Sequence, residues 1–420
     1  MRPPARARLV APLIALYAAL MALALPQVAR AGDSDGAPRQ VLVMLKLGAD
    51  HLRAGSDYGG DYGDRMGESM RTRLARKVAR AHHLVLEERW AMPLIGVDCV
   101  LMTIPDARSA EAVAAELAQA REVSWSQPLN RFEAQAAPVV EPTRGPAIVP
   151  GYNDRLYRAQ PASARWHLAA LHRVSTGRGV TVAVIDSQID RRHPDLAGQV
   201  IDTLNFAPGI VPAAGESHGT GVAGIIAALA GNGMGIAGVA PGARILGLRA
   251  CIERDARRTT CDSLSLAKAL NTAVTRHADV INLSLSGPSD RLIATLVGLA
   301  QARGASVVAA IDEARPQASF PARLPGVIAV GDDRLSAREG AVYIAPGRDV
   351  PTTEPEGKWD LVNGSSFAAA HVSGLAALLL QASHARPAAL AGLLGPPGAV
   401  NACAALARVS ALDPRTCLRP

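Results

Sequence analysis

The sequence has few aromatic residues: 4 Trp, 6 Tyr and 4 Phe among 420 residues, or 3%. An aromatic-rich sandwich is therefore not expected, and Ala, Val, Leu and Ile must fill the core as helices packed closely on a sheet. Nucleic-acid-binding motifs are also lacking. Much of the net charge of +7 comes from Arg2, Arg6 and Arg8 and from residues 65–80, which are typical of the solvated face of a helix. No nucleic-acid partner is predicted.

Long hydrophobic runs are equally scarce, because only Leu9–Leu25 is extended and apolar. Arginines precede this run, and Ala29-Arg30-Ala31 follows it, which is the order of a signal peptide. We predict a signal peptide over 1–31 and a secreted protein, periplasmic or extracellular. A retained anchor helix is the alternative, but the run of 17 residues is short for a span. No stable membrane span is expected, and the Ala- and Arg-rich composition favours a bacterial source.

The five cysteines suit an exported protein. Cys251 and Cys261 lie ten residues apart, and Cys403 and Cys417 lie fourteen apart, which predicts two local disulfide bonds. Cys99 is then left as a free thiol. A zinc site is the alternative, but the sequence has no CxxC pair and no histidine cluster near the cysteines. We therefore predict no metal ligands among these cysteines.

The order of apolar segments predicts two structural units. Residues 40–133 alternate strand and helix patterns and predict a small α+β unit. Residues 134–151 are rich in Pro and Ala and predict a linker suited to proteolytic processing. From residue 152, nearly continuous apolar strands alternate with helices, which predicts an α/β fold: a mostly parallel sheet with helices on both faces. Chemistry is then expected at the carboxyl ends of the strands.

Three segments carry residues that suit nucleophilic catalysis. Asp186 ends the buried strand of TVAVID, His218 precedes a Gly-rich turn and an apolar helix, and Ser366 begins another apolar helix. A serine hydroxyl needs an imidazole to remove its proton, and the imidazole needs a carboxylate to fix its tautomer. A helix N-terminus supplies N–H groups where negative charge develops. Each residue alone is more often structural, so the combination carries the prediction.

That combination resembles the subtilisin-like serine peptidases. VAVIDSQID, HPDL, HGTGVAGIIA and GSSFAAAHVSGLAALL occur in the order Asp, His, Ser, with intervals of 32 and 148 residues. The resemblance implies a serine endopeptidase that hydrolyses protein or peptide substrates through an acyl-enzyme on Ser366. It also implies that residues 32–133 are a pro-domain that acts as folding template and inhibitor, and that 152–420 is the peptidase domain. No cofactor is required, and calcium is possible as a structural ion.

The sequence departs from the family pattern at the oxyanion position. Where the family has Gly-Asn, this sequence aligns Ile311 and Asp312, and only a protonated Asp312 can donate a hydrogen bond as the amide does. The resemblance also implies walls of a substrate pocket, formed by Ser284, Leu285, Ser286, Gly287, Ala309 and Ala310. Asp312 leaves a second hypothesis open, a catalytically weakened binding or scaffold protein. An esterase or peptide ligase on the same triad is a third.

Overall fold

The computed structural model describes residues 39–47, 62–137, 151–254, 258–335, 341–383 and 390–411. The predicted signal peptide, residues 32–38 of the predicted pro-domain and residues 138–150 of the predicted linker lie outside the described residues. Cys417 also lies outside them.

The N-terminal part of the described chain is an α+β unit. Its elements are β1 (Gln40–Lys46), α1 (Tyr62–Ala81), β2 (Val85–Met92), β3 (Val97–Thr103), α2 (Ala110–Leu117) and β4 (Val123–Pro128). The strands form an antiparallel sheet in the order β2-β3-β1-β4. Strand β2 was not predicted, because most of its residues are exposed or only partly buried and show no clear alternation.

The two faces of this sheet have different partners. Val41 and Val43 of β1 pack in one hydrophobic cluster with Val78 of α1 and Val113 of α2. Alternate residues of a strand point to opposite faces, so Leu42 and Met44 join a different cluster. That second cluster also contains core residues of the larger C-terminal part. The N-terminal unit is therefore packed on the rest of the chain through the sheet face that its own helices leave uncovered.

The C-terminal part is built on an eight-stranded sheet in which all neighbouring strands are parallel. Its strands are β6 (Thr181–Asp186), β7 (Val200–Asn205), β8 (Arg244–Arg249), β11 (Val280–Leu283), β13 (Ser306–Ala310), β14 (Ile328–Gly331), β15 (Tyr343–Ile344) and β18 (Gly398–Ala399). They are arranged in the order β18-β15-β14-β13-β11-β6-β8-β7. The five strands predicted from apolar runs are the five central ones.

Helices cover both faces of this sheet, which confirms the predicted fold class. Helices α5 (Ser217–Ala227) and α8 (Ser365–Ser383) pack with one set of alternate strand residues, including Val184 of β6. Helices α6 (Ser263–Thr275) and α7 (Arg291–Ala302) pack with the other set, including Ile185. The shorter helices are α3 (Pro161–Trp166), α4 (Leu168–His172), α9 (Leu390–Leu394) and α10 (Ala402–Ala407).

Helix α8 is the one helix of the described chain that is long and apolar enough to cross a membrane. Its most apolar stretch is 89% buried inside the protein. It is therefore a core helix of the fold, and its burial reflects packing against β11, β13 and β14.

Two smaller sheets lie beside the main one. Strands β5 (Arg131–Ala134), β9 (Cys251–Arg254), β10 (Arg258–Asp262) and β12 (Leu285–Ser286) form a sheet in the order β12-β5-β10-β9, and β16 (Val350–Glu354) pairs with β17 (Lys358–Val362). The disulfide bond Cys251–Cys261 joins β9 to β10, which confirms the first predicted pair. Cys99 is free, as predicted, and it is buried. Cys403 is also disulfide-bonded, and its predicted partner lies outside the described residues.

Candidate active site

The three candidate catalytic residues meet at the carboxyl-terminal edge of the parallel sheet. Asp186 is the last residue of β6, His218 is the second residue of α5, and Ser366 is the second residue of α8. All three side chains are buried. Motifs up to 180 residues apart in the sequence are thus brought together, because α5 and α8 pack on the same face of the sheet that contains β6.

Asp186 and His218 form a hydrogen-bonded pair. The distance from His218 Nδ1 to Asp186 Oδ1 is 2.7 Å. Burial lowers the pKa of His218, but the Asp186 carboxylate raises it through its charge and hydrogen bond, and Glu253 adds to this, so the net shift is upward. A proton held on Nδ1 leaves Nε2 free to act as a base. Nε2 is buried and has no hydrogen-bond partner among the described residues.

Ser366 does not contact this imidazole by a hydrogen bond in the structure. Its hydroxyl donates to the carbonyl oxygen of Ser284, at 2.9 Å. Its backbone N–H donates to the carbonyl oxygen of Gln135, at 3.1 Å. The Ser366 backbone N–H is therefore bound to Gln135, and the Ser366 hydroxyl points toward the Ser284 carbonyl oxygen instead of toward His218.

The partner of that backbone donor belongs to the chain's own N-terminal region. Strand β5 lies between β12 and β10, with Ala134 opposite Leu285 and Glu133 opposite Thr260. Beyond the strand, the Gln135 N–H donates to Ser284 O at 3.3 Å. The Ala137 N–H donates to Asn363 O at 2.8 Å. Residues 131–137 thus cross the candidate site as an extended segment, and the Gln135–Ala136 peptide bond lies at Ser366.

Gly364 makes room for this segment. Its φ is +128°, and a Cβ built on it would lie 2.3 Å from the Gln135 carbonyl oxygen. Any side chain would therefore clash with the bound segment and strain the backbone. The sequence prediction treated residues 134–151 as a linker, but residues 134–137 are held in this cleft.

The predicted pocket residues fall into two groups. Ser284 and β12 pair with the bound segment, and the Gly287 N–H donates to Phe320 O at 3.0 Å, so the first four lie along the cleft. The ring of Phe132 covers Gly287, where an added Cβ would lie 2.4 Å from the ring. Ala309 and Ala310 end β13, and both are completely buried, one in each of the two core clusters. Phe132 and Phe320 therefore also contact this part of the cleft, although the sequence prediction did not include them among the pocket residues.

A cavity of about 390 Å³ remains beside the bound segment. Its lining includes the short side chains of Ala134 and Ala136 together with His218, Glu253 and Glu354.

Asp312 is not arranged as the sequence predicted. Its Oδ1 accepts the Ala314 N–H at 2.9 Å, and its Oδ2 accepts the Arg315 Nε–H at 3.0 Å. Both oxygens therefore act as acceptors within their own loop. The prediction that a protonated Asp312 donates to an oxyanion is corrected by these contacts, because the side chain is turned to its own turn and to Arg315 instead of to Ser366.

A buried ion pair next to the imidazole was also missed. The Arg249 Nε–H donates to Glu216 Oε2 at 2.8 Å, and both side chains are almost fully buried. Glu216 also accepts the backbone N–H groups of Gln188 and Glu253, and Glu253 Oε2 accepts the His218 N–H at 3.1 Å. The pair thus connects the backbone of Gln188 to that of Glu253, whose side chain in turn binds the His218 N–H. The only sequence signal was an acidic residue two positions before His218.

The described residues contain no group of three or more His, Cys, Asp or Glu side chains arranged to hold a metal ion. Two buried carboxylates are instead bound by N–H donors. Asp154 accepts from the backbone of Gly231, Asn232 and Gly233, and Asp195 accepts the Trp359 Nε1–H at 2.7 Å. Calcium binding stays a prediction.

Comparisons with known proteins agree with this arrangement. The chain is 40% identical to a thermophilic serine proteinase of Bacillus sp. (strain AK1) over 48% of this chain and 52% of that protein. It is 36% identical to subtilisin E of Bacillus subtilis (strain 168) over 49% of this chain and 56% of that protein. It is 34% identical to thermitase of Thermoactinomyces vulgaris over 55% of this chain and 84% of that protein. The chain thus spans about half the length of the first two.

A solved structure has the same fold over most of the chain. Fervidolysin from Fervidobacterium pennivorans, a keratinolytic enzyme related to subtilisin, matches with a TM-score of 0.67 and 24% identity over 90% of this chain and 62% of that one. At 24% identity, this structural similarity establishes only a shared fold. A family model described as the subtilase family matches residues 177–394, slightly more than half of the chain. Because that match contains Asp186, His218 and Ser366, the chain belongs to the subtilase family.

Proposed function

We propose that the chain is a secreted serine endopeptidase, made as a pro-enzyme that cleaves its own Gln135–Ala136 bond. One observation carries the proposal. An extended segment of the chain lies across the site like a substrate, with the Gln135 carbonyl oxygen 3.1 Å from the Ser366 backbone nitrogen. A peptide bond held beside a candidate nucleophile reacts in an effectively unimolecular step.

The proposed reaction follows from the hydrogen bonds of the site. Asp186 holds the Nδ1 proton of His218, at 2.7 Å, so that Nε2 takes the proton of Ser366. The serine hydroxyl first leaves Ser284 O and turns to the imidazole. Ser366 Oγ then attacks the Gln135 carbonyl carbon, and the Ser366 N–H binds the resulting oxyanion. His218 returns the proton to the Ala136 nitrogen, and water hydrolyses the acyl-enzyme. No step requires a cofactor.

The N-terminal unit is proposed to inhibit the enzyme after this cleavage. Its sheet packs on α6 and α7 through apolar side chains, and three polar contacts border this interface. The Leu292 N–H donates to Gln127 Oε1 at 3.2 Å, the Arg291 guanidinium lies 4.7 Å from the centre of the Trp125 ring, and Lys268 pairs with Glu88. These contacts do not involve the cleaved bond, so the unit stays bound when the bond is broken.

Secretion is proposed from residues 1–31, as predicted from their order of charged, apolar and small residues. The Cys251–Cys261 disulfide bond supports export, because such bonds persist in oxidising compartments. Removal of the signal peptide and of the N-terminal unit would then leave a peptidase domain acting on protein or peptide substrates.

A weakened scaffold protein is the second candidate, and one observation favours it. The carboxylate of Asp312 stands where the family has an amide donor, and it accepts hydrogen bonds instead of donating them. A fluorophosphonate probe distinguishes the two candidates, since it reacts only with an activated serine. We expect the processed protein to be labelled on Ser366 and to hydrolyse casein, and the Ser366→Ala variant to do neither. Ser383→Ala, at the far end of the same helix, is the matched control and should keep both. An unlabelled wild type would favour the scaffold.

A further inference from the structure

The first turn of α5 carries the catalytic histidine, so the hydrogen bonds of that turn determine where the imidazole lies. A helix usually begins with a residue whose side chain accepts the N–H of the second or third helical residue. Glu216 occupies this position before α5, and its side chain makes no such bond. The third residue, Gly219, donates to the Ser187 hydroxyl at 2.9 Å. The N–H of the second residue, His218, therefore needs an acceptor from elsewhere in the chain.

Glu216 does not cap the helix because its carboxylate is bound to other donors. Its Oε2 accepts the Arg249 Nε–H at 2.8 Å and the Gln188 N–H at 2.6 Å. Its Oε1 accepts the Glu253 N–H at 3.0 Å. This last bond holds the backbone of β9 against the start of α5.

Glu253 caps the helix in its place, from a different part of the chain. Its Oε2 accepts the His218 N–H at 3.1 Å. A carboxylate at the N-terminus of a helix makes a charge-assisted hydrogen bond and interacts favourably with the helix dipole. Strand β9 is paired with β10, and the Cys251–Cys261 disulfide bond closes this hairpin two residues before Glu253. The acceptor is thus carried by a covalently closed hairpin.

The cap and the catalytic hydrogen bond meet in one residue. Glu253 holds the backbone of His218, and Asp186 holds its ring, with 2.7 Å between Asp186 Oδ1 and His218 Nδ1. The ring centre also lies 5.3 Å from that of Phe367, the residue after Ser366. Because proton transfer needs close geometry between the base and the nucleophile, loss of the backbone contact should impair the action of the imidazole.

The charge of Glu253 acts on the same imidazole. Burial lowers the pKa of His218, but the charge and hydrogen bond of Asp186 raise it, and the charge of Glu253 raises it further. The pKa of Glu253 is itself raised, chiefly by burial and also by Glu216 and Glu354, against the lowering effect of His218. The other charged side chains around this pair are Arg249, Arg258, Glu356 and Lys358.

We propose that Glu253 is a positioning residue of the catalytic site, whose carboxylate caps α5 at His218 and so holds the imidazole on Asp186. It acts through His218 and takes no part in the bond changes. The inference rests on the proposed peptidase function. The cap requires an acceptor oxygen at this position, whereas the effect on the imidazole pKa requires a negative charge, so two substitutions separate these properties.

The test is the pH dependence of kcat and KM for a fluorogenic peptide, measured on processed wild type and three variants between pH 5 and pH 9. Glu253→Ala removes the cap, so its kcat should fall about 10- to 10²-fold, with a smaller change in KM. Glu253→Gln keeps an acceptor oxygen, so its highest kcat should be close to that of the wild type. It lacks the charge, so its acidic limb should move to lower pH, by up to about 1 unit. Arg254→Ala changes the exposed neighbour on the same strand and should keep the wild-type kcat and KM.

The pKa of His218 is also measured directly, by NMR titration of the imidazole in the Ser366→Ala protein, which needs no turnover. Adding Glu253→Gln should lower this pKa. An unchanged pKa would overturn the proposal, and so would a wild-type kcat in Glu253→Ala or a loss confined to KM, because Glu253 would then only line the cleft. An equal loss of kcat in Glu253→Gln and Glu253→Ala would also contradict it.

Thermal melting shows whether each variant is folded, and Glu253→Gln and the NMR titration carry the test if Glu253→Ala is not. Fluorophosphonate labelling separates this proposal from the peptidase function. A labelled wild type with an unaffected Glu253→Ala refutes only the role of Glu253. A wild type that is neither labelled nor active would overturn both.

Discussion

In the proposed inhibition of the peptidase by its N-terminal unit, Phe132 should provide much of the binding affinity. Its side chain is fully buried, its ring covers Gly287, and its centre lies 6.1 Å from that of Phe320. Replacing a buried Phe by Ala costs about 3–5 kcal/mol. Taking the lower value, because a cleft at the surface can relax, the affinity should fall about 10²-fold at about 1.4 kcal/mol per tenfold change.

Dilution of the processed complex measures this affinity. As the cleaved N-terminal unit dissociates, hydrolysis of a fluorogenic peptide reports the free enzyme, and the concentration that gives half-maximal activity reports the dissociation constant. Phe132→Ala should raise that concentration about 10²-fold. Glu133→Ala changes the exposed neighbour on the same strand and is the matched control. A Phe132→Ala midpoint within threefold of the wild type would refute the reasoning, because the ring would then contribute nothing to inhibition.

Three further predictions concern the peptidase part of the chain. Replacing Cys251 and Cys261 together by Ser should lower the free energy of unfolding by about 2–3 kcal/mol, seen as a lower Tm, and an unchanged Tm would contradict this. The pKa of His218 is raised, and His218 must be neutral to act as the base. As the pH falls, activity should therefore be lost at a higher pH than the pKa of a free imidazole would give. An acidic limb of the pH–activity profile below pH 6 would contradict this. Trp359→Phe removes a hydrogen bond to a buried carboxylate and should lower the Tm by about 4–8 °C in differential scanning calorimetry, whereas an unaltered Tm would mean that the bond is not stabilising.

The sequence predicted those parts of the fold that depend on local patterns. The central strands are apolar on both faces, so their runs are recognisable without knowledge of their neighbours. Asp186, His218 and Ser366 each stand at a strand end or a helix start, which local patterns also indicate. The strand β2 was missed because its residues are mostly exposed and do not alternate.

The remaining features depend on contacts between distant parts of the chain. The position of the Gln135–Ala136 bond follows from pairing of β5 with β10 and β12, more than 120 residues away, and the Pro- and Ala-rich sequence around it carries no such signal. The direction of the Asp312 side chain likewise depends on the Ala314 N–H and on Arg315, which bind its two oxygens within its own loop. An alignment of loops fixes the residue number but not the direction of a side chain.

N-terminal sequencing of the secreted protein tests the central claim most directly, because it reports both the nucleophile and the bond that it cleaves. The wild type should yield a chain that begins at Ala136, or a few residues later if its new end is trimmed further. The Ser366→Ala variant should remain uncleaved, with the N-terminal unit still attached. Active protein that retains residues 32–135, or cleavage of Ser366→Ala at the same bond and rate, would contradict the account.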